Sequence, residues 1–205
     1  MPDIRRQVLR SNVLLSVSPD GISLSEWVYD VPHRTNTERE RHVSITDEYL
    51  SNNASYAASF EGPRPAPPTK HVAVVACMDA RLNVYGALGL QEGEAHVISN
   101  AGGVITDGEI RSLAISQGLL GTTEIILIHH TDCGMLKFSN EEFLDSLEDK
   151  TGSRPGWDPM AFSSLEDDVK SSMTAIIESP FIPHTDALRG FIFNVASGEL
   201  EEVTL

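Results

Sequence analysis

The stretch Val72-Ala73-Val74-Val75-Ala76 is unbroken in hydrophobicity and rich in β-branched residues, and it constrains the fold more than any other part of the chain. Continuous rather than alternating hydrophobicity asks for burial on both faces, the environment of a strand inside a parallel sheet. Two further strands are expected over residues 95–99 and 124–129, the latter with Ile125-Ile126-Leu127-Ile128 at its centre. Helical segments separate them. Residues 82–88 form a short one that stops at Gly89. A longer one, with Asp107 as its expected N-cap, carries Ile110, Leu113, Ala114 and Leu120 on one side and stops at Gly121. Ser139 with Glu142, and more weakly Ser164 with the shorter Asp167, fit capping boxes. Phe143, Leu144 and Leu147 follow the first box; Val169, Met173, Ile176 and Ile177 follow the second, which Pro180 ends. Residues 188–195 read as a strand, Ser197-Gly198 as a turn, and residues 200–203 as an antiparallel return. Alternation of this kind predicts an α/β fold: a central, mostly parallel sheet of about four parallel strands plus an antiparallel edge strand, flanked by helices.

Residues 1–44 differ from the rest and read as a loosely attached N-terminal extension. Val13-Leu14-Leu15-Ser16-Val17 suggests a short strand ended by Pro19-Asp20-Gly21, and residues 35–42 are charged without apolar periodicity. Arg5, Arg6 and Arg10, with Ser11 and Ser16, resemble a mitochondrial presequence; Asp3 and Asp20 argue against one, and a cytoplasmic location is the expectation. From Asp47 a helix is expected, with Tyr49, Leu50, Ala54, Ala57 and Ala58 on it and Tyr56 and Phe60 available to pack. The proline-rich residues 62–68 break it and lead into the first core strand. At 205 residues the chain suits one domain with a sizeable core. Its formal net charge of −15 repels nucleic acid and anionic membranes, and no run approaches a membrane span. A small neutral substrate needs no electrostatic steering and is compatible with that surface.

Ligands of open α/β sheets sit beyond the carboxyl ends of the strands. Three strands deliver polar residues there: Cys77 after the first, Asn100-Ala101-Gly102-Gly103 after the second, His130 and Cys133 after the third. Cys77 and Cys133 are the only cysteines. Two thiolates and an imidazole make three of the four positions of a tetrahedral zinc site; structural sites fill the fourth with protein, and catalytic ones leave it for water. Other readings of the same residues are a disulfide, a pair of ordinary buried thiols, and a structural zinc with Asp79 as permanent fourth ligand. His129 should point away from His130 if the strand continues, into the core or an interface. His33, His42, His71, His96 and His184 read as surface or satisfied residues, and Asp132 as a cap of its turn. Gly102 and Gly103 are backbone devices for a tight turn and candidates for letting substrate approach the metal.

Cys77-Met78-Asp79-Ala80-Arg81 and His129-His130-Thr131-Asp132-Cys133-Gly134-Met135 resemble the signature stretches of the β-class carbonic anhydrases, as do Asn100-Ala101-Gly102-Gly103 and Arg111-Ser112-Leu113-Ala114-Ile115-Ser116. The resemblance covers residues 47–205 and looks closest to the short bacterial-type branch, which also contains carbonyl sulfide hydrolases. It implies that residues 45–205 are a catalytic domain with one Zn2+ per chain, held by Cys77, His130 and Cys133, with Asp79 and Arg81 as catalytic residues. It also implies a homodimer or homotetramer with the substrate cleft near the subunit contact. The residues make chemical sense together. Zinc lowers the pKa of a bound water from roughly 15.7 toward ~7. Asp79 can accept the hydroxide proton and aim a lone pair, while Arg81 holds Asp79 ionised through a two-pronged ion pair. Carbon dioxide and carbonyl sulfide, both linear and electrophilic at carbon, suit such a nucleophile. Carbon dioxide hydration to bicarbonate leads as the commoner family activity. Carbonyl sulfide hydrolysis to carbon dioxide and hydrogen sulfide gains from the branch resemblance and from Ser99, which stands where relatives often carry arginine. A non-catalytic zinc or bicarbonate sensor on the same fold is the third reading.

Overall fold

A computed structural model describes residues 44–205. The expectations placed on residues 1–43, including the 13–17 strand, the presequence-like arginines, His33 and His42, lie outside the described residues. Every residue of Val72–Cys77 (β1) is buried, as its unbroken hydrophobicity requires. It pairs in parallel with Ala95–Asn100 (β2) on one side and Glu124–His130 (β3) on the other. Leu188–Phe193 (β4) continues the parallel sheet beside β3, and Leu200–Val203 (β5) closes it antiparallel, giving the order β2-β1-β3-β4-β5. This is the predicted arrangement of four parallel strands and an antiparallel edge.

Strand period then divides the core in two. Ala73, Val75, Ile125 and Leu127 face one way and pack with Leu113 of Asp107–Leu120 (α3) and with Val169, Met173 and Ile176 of Leu165–Glu178 (α5). Val74, Ala76 and Ile128 face the other way and pack with Leu82, Val84, Met135 and both cysteines. The second expected strand is a sheet edge, only half-buried along its length. The expected helix over 82–88 is Val84–Leu88 (α2), stopped by Gly89.

The N-cap of α3 is Thr106, one residue before the Asp107 expected. Thr106 has the extended backbone a cap needs, and Glu109, three residues on, bonds back to its N–H at 3.0 Å. Asp107 is instead the first helical residue, where a negative charge faces the positive end of the helix dipole. Asn140–Thr151 (α4) has the expected box between Ser139 and Glu142. At α5, Ser164 accepts from the Asp167 N–H, but Asp167 makes no bond back. Ile177 stays exposed on that helix. The strand expected to reach Val195 ends at Phe193, where Asn194 turns the chain by bonding to Glu199 and Gly198.

Ile45–Ala58 (α1) begins at the cap Ser44 and buries none of its residues. Ile45, Tyr49 and Leu50 are 59%, 62% and 63% exposed, so the apolar side of this helix faces outward. Among the described residues no helix is long and apolar enough to cross a membrane.

Candidate metal centre

Cys77 and His130 are not the first residues of loops but the last residues of β1 and β3. The sheet's own hydrogen bonds therefore set their backbone positions: Cys77 lies in register with Asn100, and His130 with Phe193. Thr131 and Asp132 turn the chain, and Cys133 opens the 3-10 turn Gly134–Leu136. The ligand atoms of Cys77, His130 and Cys133 all lie within 4.8 Å of one another, and all three residues are buried. Both cysteines are free.

Two observations show that a metal ion fits here. His130 Nδ1 lies 2.9 Å from the Thr131 carbonyl, which can only accept, so Nδ1 carries the proton and Nε2 keeps its lone pair. That Nε2 is buried without a hydrogen-bond partner, the state of an imidazole prepared to ligate. The sulfurs tell the same story. Cys77 is held well below its ordinary thiol value, chiefly by the Cys133 S–H beside it, with help from the main-chain N–H groups of Asp79 and Gly102 and against the opposing effect of burial. Cys133 is pushed up, first by the Cys77 sulfur and then by burial. Two buried sulfurs this close hinder each other's ionisation, and a cation between them would favour both thiolates. Two thiolates and one imidazole are a donor set for a borderline-soft metal.

Asp79 sits beside this cluster, with Oδ2 3.7 Å from His130 Nε2. Arg81 grips it in a fork: Nε donates to Oδ1 at 2.9 Å and a terminal nitrogen to Oδ2 at 2.8 Å, while the Arg81 main-chain N–H also donates to Oδ1. The Arg81 bonds hold the Asp79 carboxyl down at about 2, although burial works against this.

Gly102 and Gly103 close the cluster from the β2 side. Both have positive φ. A Cβ on Gly103 would stand 2.9 Å from the Cys77 main-chain nitrogen and 3.1 Å from the Ile128 carbonyl oxygen, so this loop lies directly against β1 and β3. A Cβ on Gly102 would press on Met135, Val104 and Phe162 at 3.1–3.3 Å.

Asp132 is not simply the cap of its turn. Its Oδ2 accepts from Arg81 at 2.9 Å, its carbonyl accepts from Arg81 at 3.0 Å, and Lys137 Nζ lies 3.1 Å from its Oδ1. Sequence reasoning missed this partner because 51 residues separate it from Arg81 and no local pattern links them. His129 points away from the cluster as strand alternation expects: it is fully buried, with Nε2 2.7 Å from Asp168 Oδ2 on α5. His71 and His96 are hydrogen-bonded, to the Gly121 carbonyl and the Ser116 hydroxyl, and His184 is exposed.

Residues 72–200 match the family model for carbonic anhydrase. Over 162 residues, 79% of this chain and 99% of the relative, the sequence is 57% identical to beta-carbonic anhydrase 1 of Mycobacterium tuberculosis. The chain belongs to the β-carbonic anhydrase family. It is also 33% identical over 161 residues to the carbon disulfide hydrolase of an Acidianus species, covering 66% of this chain and 78% of that one. Among solved structures, the carbonic anhydrase of Streptococcus mutans superposes with a TM-score of 0.75 at 39% identity, covering 78% of this chain and 98% of that one. Three of the family stretches noted in the sequence therefore sit on the family fold at the carboxyl ends of β1, β2 and β3, and the fourth, residues 111–116, lies within α3.

Proposed function

We propose that this member of the β-carbonic anhydrase family hydrates carbon dioxide to bicarbonate, using one Zn2+ held by Cys77, His130 and Cys133. The observation that carries this reading is the convergence of those three ligand atoms within 4.8 Å, with an ionised, Arg81-held carboxylate at their side. Zinc in such a site makes water acidic enough to act as a nucleophile near neutral pH. The chain supplies the rest. Asp79, ionised and accepting only, takes up the proton side of a water at the ligand cluster and so orients its oxygen toward carbon. Arg81 keeps that carboxylate charged and fixed in direction. Gly102 and Gly103, lacking side chains, let the β2 loop pack directly against β1 and β3 beside the cluster.

The 57% identity to a relative named for carbonic anhydrase supports carbon dioxide as substrate. Hydrolysis of a sulfur-containing heterocumulene such as carbonyl sulfide is the second reading, supported by the more distant relatives named carbon disulfide hydrolase. A non-catalytic zinc or bicarbonate sensor is the reading to be excluded by turnover.

Residues 45–205 constitute the catalytic domain in this proposal and residues 1–44 an extension to it. The protein acts as a homodimer or homotetramer, and the outward apolar face of α1 supports this as the arm of a subunit contact. Free thiols at the site suit a cytoplasmic enzyme. A mass of one chain in size-exclusion light scattering at micromolar concentration would reject the oligomer. For the activity, one preparation is assayed on carbon dioxide, carbonyl sulfide and carbon disulfide, with Cys77→Ser as control. The expected result is carbon dioxide turnover with one zinc per chain, and loss of both in the variant. Stoichiometric zinc with no turnover of any of the three overturns the enzyme reading.

A further inference from the structure

We propose that Asp132 is a positioning residue for this reaction, fixing from the far side the Arg81 guanidinium that holds Asp79. The inference rests on the zinc-enzyme reading above and adds a residue to it. Arg81 spends Nε and one terminal N–H on Asp79, and turns the rest of its fork the other way, onto the carboxylate and the carbonyl of Asp132. The Arg81 side chain is 46% exposed. Held on one side only, so long and wet a side chain would exchange its contacts with water, and the direction of Asp79 would loosen with it. Asp132 supplies the second side.

The local backbone is shaped for this task. Asp132 has φ +55°, a left-handed conformation costly for most residues and tolerated by aspartate. That conformation lets one residue present two acceptors, its carboxylate and its carbonyl, to a single guanidinium. Lys137 lies against the remaining carboxylate oxygen, so both oxygens of Asp132 face cationic side chains. The contacts run Lys137–Asp132–Arg81–Asp79, alternating in sign, and join the loop after β1 to the turn that carries Cys133. Isolated exposed ion pairs contribute little, but a forked pair inside a network is the arrangement in which geometry counts.

Asp132→Asn and Asp132→Gly test this, because both residues accept a left-handed backbone and leave the turn intact. In the zinc-loaded full-length protein, zinc content is expected to stay at the wild-type value, and the melting temperature within about 3 °C. The kcat for carbon dioxide hydration is expected to fall about fivefold, with KM changed less than about twofold. The Arg81 Nε–H resonance, assigned by its absence in Arg81→Lys, is expected to be sharp in the wild type and broadened or lost in both variants. In an Arg81→Ala background, Asp132→Asn is expected to have no further effect on kcat. Three results overturn the proposal: an unchanged kcat, a lowered kcat with the Arg81 resonance unmoved, or the same loss in the Arg81→Ala background. If the wild type turns over none of the gases, the enzyme reading fails instead, and the Arg81 resonance alone decides whether Asp132 holds the guanidinium.

Discussion

Gly103→Ala is the substitution whose cost the structure sets most directly. The new methyl group meets two obstacles. First, Gly103 has φ +77°, and an L side chain in the left-handed region costs ~1–2 kcal/mol. Second, the Cβ would stand 2.9 Å from the Cys77 nitrogen and 3.1 Å from the Ile128 oxygen. Both are main-chain atoms of sheet strands, which cannot rotate aside as a side chain can. Overpacking of this kind costs ~1–3 kcal/mol. The sum, about 2–5 kcal/mol, corresponds to roughly 4–20 °C of melting temperature for a chain of this size. Relief must shift the loop or press on β1 at Cys77 and β3 at Ile128, so metal retention should fall together with stability. Gly118→Ala is the control: it lies on α3, has nothing within 4 Å of its built Cβ, and should be neutral or stabilise by up to ~1 kcal/mol. Thermal melts followed by circular dichroism, with zinc counted before and after gel filtration, measure both effects. A Gly103→Ala protein that melts within about 1 °C of wild type with full zinc would refute the placement of this loop against the strands.

Asp79→Ala should keep its zinc and lose activity by about 10² or more, read by metal analysis beside stopped-flow hydration; full activity would remove Asp79 from its orienting role. Asp168→Ala should destabilise by ~1–3 kcal/mol in urea titrations, because among the described residues Asp168 is the hydrogen-bond partner of the fully buried His129 ring. Zinc content should be unaffected, since His129 and His130 face opposite sides of β3. Glu142 is held below its ordinary value by the Ser139 N–H and then the Ser139 hydroxyl. A depressed carboxyl contributes stability that is complete above its unfolded pKa, near 4.5, and is lost as pH falls through the lower folded value. Glu142→Gln should therefore make the acid limb of the stability curve shallower by lowering stability at neutral pH, while leaving stability at the acid end almost unchanged. A steeper acid limb in the variant would reverse the sign and sink the assignment.

The parallel sheet was legible because the centres of β1 and β3 are buried, and unbroken hydrophobic runs fill them. His129 and His130 could be told apart for a related reason: a strand alternates, so adjacent residues serve opposite faces. Asp79 and Arg81 were legible because they lie two apart in one turn. Asp132 was not, because its partner reaches it only when β1 and β3 come together in the fold. The face of α1 shows the other limit. Apolar spacing says that a surface asks to be covered, and in this case nothing within the described chain covers it.

β1, β2 and β3 each run one residue past the expected end, and that residue matters chemically. Polar character at Cys77, Asn100 and His130 suggested loops, but a strand is held by backbone bonds that do not depend on side-chain polarity. The ladder even continues past β3, where the Thr131 N–H donates to the Phe193 carbonyl. Two of the three proposed metal ligands therefore inherit the rigidity of a parallel sheet, while Cys133 sits beyond a turn. Whatever slack the centre has should reside in that turn. Arg81 reaches across to it and takes hold of Asp132, the residue next to Cys133. The bridge proposed to orient Asp79 thus also ties down the turn that carries Cys133, and loosening it should affect turnover before it affects the fold.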